Sequence, residues 1–199
     1  MKDVSKKILS FYDDHIDEHG TGPRAVGWSD ERSQALRFAS LCRIGDLTGS
    51  SILDVGCGWG DLYDYLNGHY EGVRYTGIDI NPRYIERAKE LHPEARFEVV
   101  DFGEYGGGPF DYVFASGVFS VKIPNYKEVY FEQIKKMFAM ARKGVAFSML
   151  DEAYHANDET YAAYSPEEVR DVCLSLTDDV VLYHDYLPHD VTVVMRKGN

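Results

Sequence analysis

The stretch Ser51-Ile-Leu-Asp-Val-Gly-Cys-Gly-Trp-Gly-Asp61 constrains this chain more than any other. Ser51 to Val55 is a short apolar run of strand type that stops abruptly at glycine, and a helix-like segment begins at Asp61. Between them Gly56, Gly58 and Gly60 alternate with other residues. Glycine is required where the backbone turns with positive φ or where a ligand must approach the main chain closely. A glycine-rich turn from strand to helix also directs free N–H groups at whatever lies above the sheet. The sequence therefore predicts a nucleotide-type cofactor site on Asp54, Gly56, Cys57, Gly58 and Gly60, with Cys57 the small residue that fits inside the loop.

Spacing separates one cofactor class from another. A dinucleotide fingerprint needs G-x-G-x-x-G. Counted from Gly56 and Gly58, its third glycine falls where Asp61 stands. What is present is Asp54-x-Gly56-x-Gly58-x-Gly60, with the acid on the last turn of the strand. This pattern resembles the first motif of the class I S-adenosylmethionine (SAM) dependent methyltransferases. In that family the loop passes under the methionine part of the cofactor and the acid helps hold its ammonium group, which is the part the resemblance implies for Asp54.

Two further strand ends repeat the plan. Val73 to Ile80 reads as a second strand, with Asp79 at its carboxyl end, and Asn81 as cap with Pro82 opens a helix to Leu91. A carboxylate at Asp79 can accept two hydrogen bonds from a ribose diol. It can also be a plain acid favoured by the helix dipole. Phe97 to Asp101 is a third such strand, and the resemblance places Asp101 near the adenine amino group with Phe102 or Ile80 packed on the ring. Phe110 to Ser116 is a fourth; the family uses this strand end to flank the methyl group and its acceptor, which brings in Ser116. The following Gly117-Val-Phe-Ser120 is not the Asn-Pro-Pro-Tyr or Asp-Pro-Pro-Tyr of enzymes acting on planar amide or base nitrogens.

Around this centre the chain reads as an α/β domain. Residues 3–18 have apolar positions at helical spacing, and a second helix runs from a Ser29 cap to Ile44. Arg24 and Trp28 lie in the loop between them; in related enzymes a basic residue there approaches the cofactor carboxylate, the part implied for Arg24. A helix from Pro124 and Asn125 to Lys143 carries Arg142, Lys143 and Gly144 as its basic last turn and stop. Val145 to Leu150 is strand five, and Asp151 to Tyr164 is a tyrosine-bearing loop over the pocket. Ser165 to Glu168 is a capping box with proline at the first helical position. Val180 to Tyr186 and Val191 to Arg196 close the chain as a hairpin. The order predicts a single doubly wound α/β sheet of seven mostly parallel strands, with helices on both faces, a terminal antiparallel hairpin and an N-terminal helical cap. The cap would span 1–48 and the SAM-binding, Rossmann-like unit 49–199.

Composition sets the outer limits. A formal net charge of −12 opposes the phosphate contacts of a nucleic-acid binder. No apolar run approaches the roughly 18 to 20 residues of a spanning helix, and the first residues lack the apolar core of a secretory signal, so a cytoplasmic protein is expected. Three scattered cysteines indicate neither a disulfide framework nor a zinc site. His15 and His19 stand at i and i+4 but no third ligand joins them, so no metal is expected. The resemblance implies methyl transfer from SAM, yielding S-adenosylhomocysteine (SAH), to a small-molecule acceptor, with oxygen or nitrogen favoured over carbon. The alternative is a SAM- or SAH-binding subunit, regulatory or partner, that lacks transfer activity. Monomer and homodimer are both compatible. A base for the acceptor proton would come from His155 in the loop or from His184, which alternates with Val180, Leu182 and Tyr186 and could equally be a core histidine.

Overall fold

The computed structural model describes residues 2–155 and 158–198. Apolar runs of strand length become β1 (Ser51–Val55), β2 (Arg74–Asp79), β3 (Arg96–Val99), β4 (Phe110–Ala115) and β5 (Ala141–Asp151). They are followed by the two-residue β6 (Ala163–Tyr164), then β7 (Asp179–Tyr183) and β8 (Asp190–Arg196). One sheet results, in the order β3-β2-β1-β4-β5-β8-β7, with β6 paired off this path to the end of β5. β1 to β5 run parallel, and β8 is antiparallel to both β5 and β7. The seven predicted strands and the terminal hairpin are present, and β6 is an addition. The chain winds outward through β2 and β3 on one side of β1 and through β4 and β5 on the other. That reversal opens a crevice above the carboxyl ends of β1 and β4.

Both faces of the sheet are buried, which is why its strands read as nearly continuous apolar runs. Ile52, Phe114, Ala146 and Val194 face a layer made by α2 (Glu31–Leu41), α3 (Asp61–His69) and α4 (Pro82–Leu91), through Phe38, Leu41, Leu62, Leu66, Ile85 and Ala88. Their neighbours Leu53, Val113, Val145 and Val193 face α5 (Tyr126–Met140) and α7 (Pro166–Leu174), through Tyr130, Ile134, Met137, Val169 and Cys173. Alternate residues of each strand thus supply opposite cores.

The first helix, α1 (Lys2–His19), packs Val4, Ile8, Phe11 and Tyr12 against the second of these layers. Its far end joins Ile16 to Ala25, Trp59 and Tyr84 in a separate small cluster. Asp13 accepts a hydrogen bond from the Asn81 amide (2.9 Å) and Asp17 pairs with Arg83 (2.7 Å). The exposed ion pair is worth little by itself; the buried apolar contacts hold the helix across the strand ends.

Three boundaries depart from expectation. The cap of α2 is Asp30, whose carboxylate accepts the Ser33 N–H at 2.7 Å; Ser29 only donates to that carboxylate. Helix α5 stops at Met140, and Arg142, Lys143 and Gly144 belong to β5. There Ala141 pairs with Phe110, a register irregularity follows, and from Gly144 on the strand pairs with β4 and β8, which draws the backbone into the sheet instead of another helical turn. Gly144 is no helix stop: a Cβ on it would lie 2.5 Å from the Met195 carbonyl oxygen of β8. Finally, β7 ends at Tyr183, leaving His184 exposed beyond it. Among the described residues no helix is long and apolar enough to cross a membrane.

Candidate active site

A cleft of about 1100 Å³, its open mouth included, lies above the crevice between β1 and β4. The sheet brings Asp54, Gly56, Cys57, Gly58, Asp79, Ile80, Asp101, Phe102 and Ser116 to its walls. The parallel register explains the convergence: Val55 pairs with Ile78 and with Ala115, so the residues that exit β1, β2 and β4 leave at one level.

The glycine loop works differently from a phosphate cradle. Gly56 and Cys57 both donate their N–H groups to the Ile78 carbonyl (2.8 and 3.0 Å), Gly58 donates to Asp79 Oδ2 (3.0 Å) and Gly60 to the Cys57 carbonyl (2.9 Å). These four amides are thus engaged within the protein, three of them by Ile78 and Asp79 of β2, against the expectation that they point freely outward. What the glycines provide is closeness. Gly56 sits at φ 71°, and a Cβ there would lie 2.4 Å from Val118 Cγ2. Gly60 does not line the cleft; it starts α3, packed against His92 and Phe97.

The carboxylates are buried and individually anchored. Asp54 accepts the Tyr75 hydroxyl proton at 2.6 Å, and its burial pushes its pKa up to about 7 despite that bond. Asp79 accepts backbone N–H groups from Gly58 and from Asn81 (2.8 Å). Burial pushes its pKa up to about 6, with those amides opposing the rise. Asp61 takes a 2.7 Å bond from the Gln34 amide and is likewise raised, chiefly by burial. Asp101 accepts the Ser5 hydroxyl (2.9 Å) and the Gly103 N–H (2.8 Å), so α1 touches the third strand end directly. Burial, with the Asp79 and Asp54 charges, holds the Cys57 thiol well above its ordinary value, hence protonated and unreactive. Ser116 presents a buried hydroxyl with no protein hydrogen-bond partner.

Among the described residues, no Lys, Arg or His lines the cleft. Arg24 is exposed and donates weakly to the Ser29 carbonyl at 3.5 Å, so the structure does not bring it to the site. His155 and His184 line a separate, shallower hollow with Lys122, Asp151, Glu152 and Glu167. His184 lies away from the cleft because it follows β7, the edge strand separated from β4 by β5 and β8, and His155 because the chain after β5 turns into α6 (Glu152–His155). Sequence reasoning missed Trp28, Gln34, Phe38, Asp61, Tyr84 and Tyr130 as cleft residues. One signal was available: Val4, Ile8 and Tyr12 form the apolar stripe of α1, and that stripe closes the cleft.

The residues fit a sulfonium nucleoside. An acid at each of three strand ends, a close-packed glycine turn and an unused hydroxyl suit an ammonium, a ribose and an adenine, and no amide nest is kept for a pyrophosphate.

Comparison with known proteins points the same way. The family described as "Methyltransferase domain" matches residues 53–144. A Mycobacterium tuberculosis protein, Rv1506c, provisionally named a methyltransferase, is 33% identical over 159 residues, covering 75% of this chain and 94% of its own. The magnesium-protoporphyrin O-methyltransferase of Rhodobacter capsulatus is 37% identical over 91 residues, 43% of this chain and 40% of that protein. In structure, the chain resembles the magnesium protoporphyrin IX methyltransferase of Synechocystis PCC 6803 crystallised with SAH, with a TM-score of 0.71 at 15% identity over 98% of this chain and 99% of the other.

Proposed function

This chain belongs to the class I SAM-dependent methyltransferases, and on that premise we propose that it methylates an oxygen or nitrogen atom of a small, neutral or cationic acceptor. The observation that carries the acceptor class is the charge of the cleft. Asp54, Asp61, Asp79 and Asp101 line it, and among the described residues no cationic side chain does. A second anion placed beside these carboxylates in a low-dielectric site is repelled, whereas a neutral aromatic or an amine finds Tyr12, Trp28, Phe38 and Tyr130 for contact.

SAM supplies a methyl group already activated on sulfur. The protein's part is therefore to hold and orient. Asp54 would meet the ammonium, Asp79 the ribose hydroxyls, and Asp101 the adenine amino group with Phe102 and Ile80 against the ring. Ser116 stands at the end of β4, where its free hydroxyl can orient an acceptor atom. Val4, Ile8 and Tyr12 of α1 exclude water from above. Much of the acceleration then comes from alignment rather than from a reactive side chain. His155 and His184 lie in the other hollow, so an acceptor proton leaves without them.

The test is methyl transfer from radiolabelled SAM to matched acceptors, a phenol, a primary amine and a carboxylic acid on one aromatic scaffold. Labelling of the phenol or amine above the acid is expected. Preferential labelling of the acid would overturn the acceptor class.

A further inference from the structure

We propose that Trp28 forms the wall against which the methyl end of the cofactor and the acceptor are ordered, and that Arg37 and Asp190 are positioning residues that hold its indole there. The inference rests on the methyltransferase reading. It begins at Gly117, the second residue past β4. A Cβ at Gly117 would lie 2.3 Å from Trp28 Cη2 and 2.8 Å from Cζ2, so the indole lies directly on the backbone at that strand end. Gly117 in turn donates its N–H to Ser148 Oγ of β5 (3.0 Å), fixing the surface on which the ring rests. Trp28 and Ser116 line the same cleft.

Trp28 sits on no helix or strand. It follows a 3-10 turn, Pro23–Val26, and its own N–H is bonded to the Pro23 carbonyl (2.8 Å). A loop side chain needs something to set its direction. Arg37 of α2 supplies it: Cζ lies 4.1 Å from the Trp28 ring centroid. The guanidinium and its partner are almost completely enclosed, with side-chain exposures of 5% for Arg37 and 2% for Asp190 and an Nη2–Oδ2 distance of 2.5 Å. Arg37 Nη1 also donates to the Ser33 carbonyl (3.1 Å). An ion pair so buried is often replaceable by apolar residues at no loss of stability. A planar, forked cation that stacks on a ring while its edge meets a carboxylate is not replaceable by an ammonium. The pair's geometry suits a positional role: it ties α2 and β8 to the indole that lies over the end of β4.

The experiment follows tryptophan emission of the full chain during titration with SAM and with SAH, with calorimetry in parallel. The sequence contains two tryptophans, so wild type minus Trp28→Phe isolates Trp28. The isolated signal is expected to change at saturation, and to differ between SAM and SAH, because SAM alone brings the sulfonium charge to the ring. The double variant Arg37→Met/Asp190→Leu is expected to bind SAH within about threefold of wild type, since an apolar pair of similar volume keeps the fold, yet to lose at least half of the SAM–SAH difference. Arg37→Lys is expected not to preserve that difference. Calorimetric binding with no Trp28-dependent change overturns the proposal, as does an undiminished SAM–SAH difference in the double variant. Absence of calorimetric binding by the wild type would instead overturn the methyltransferase reading, and this proposal with it.

Discussion

The two hollows of this molecule are built from different materials. In the cleft, Asp54 and Asp79 lie on strands, are less than a tenth exposed, and have their oxygens bonded by Tyr75 or by backbone amides. In the second hollow, Glu152 and His184 are exposed, and His155 stands 3.9 Å from Asp158. The first arrangement is specified by sheet register and by hydrogen bonds within the protein. The second gathers side chains of mixed charge on the short helix α6 and just past the end of β7, most of them at least partly exposed. Preorganised groups bind and orient; solvated ones of mixed charge mostly face water.

Four predictions would break or sharpen this contrast. The largest effect is expected at the buried pair behind the cleft wall: Arg37→Met alone leaves Asp190 uncompensated and should destabilise by about 3–5 kcal/mol, read as a lower midpoint in urea unfolding. Next, Asp79→Ala removes the carboxylate proposed to hold the ribose and leaves the Gly58 and Asn81 amides unsatisfied, so SAM affinity should fall on the order of 100-fold in a calorimetric titration. A retained affinity would mean the cleft is not ordered by its strand ends.

The third concerns pH. Burial pushes the Asp54 and Asp79 carboxyls up to about 7 and about 6, and a cationic ligand favours their ionised forms. Below those values a proton must be released for the ligand to bind, so SAM affinity should weaken as pH falls, by on the order of tenfold between pH 8 and pH 6. An affinity that rises on acidification would contradict the assignment. The smallest effect is expected in the other hollow: His155→Ala and His184→Ala should each change methyl transfer by less than about twofold, the ordinary size for surface substitutions.

The parts of the fold legible in the sequence were those set by short-range periodicity. The glycine turn, the Asn81-Pro82 helix start and the terminal hairpin all follow from local patterns, and the strand-end acids follow from strands that exit at one level. Trp28 was not legible as a wall, because its place depends on Gly117 from a distant segment and on a stacked arginine from α2. The end of α5 was misjudged because Arg142, Lys143 and Gly144 make a good helix terminus, and only the pairing of β5 with β4 and β8 overrides that local preference. His184 was misjudged because the strand before it lies at the edge of the sheet, away from β1 and β4, and ends at Tyr183. Side chains on loops carry little in their sequence to say which hollow they will enter.

The most direct test of the central claim, that the acid-lined cleft over β1 and β4 is the SAM site, is calorimetric titration at pH 8 of the intact chain and of Asp79→Ala. The account predicts saturable one-to-one binding of SAM and of SAH by the intact chain, largely lost in the variant. Binding of equal strength in both proteins, or none in the intact chain, would contradict it.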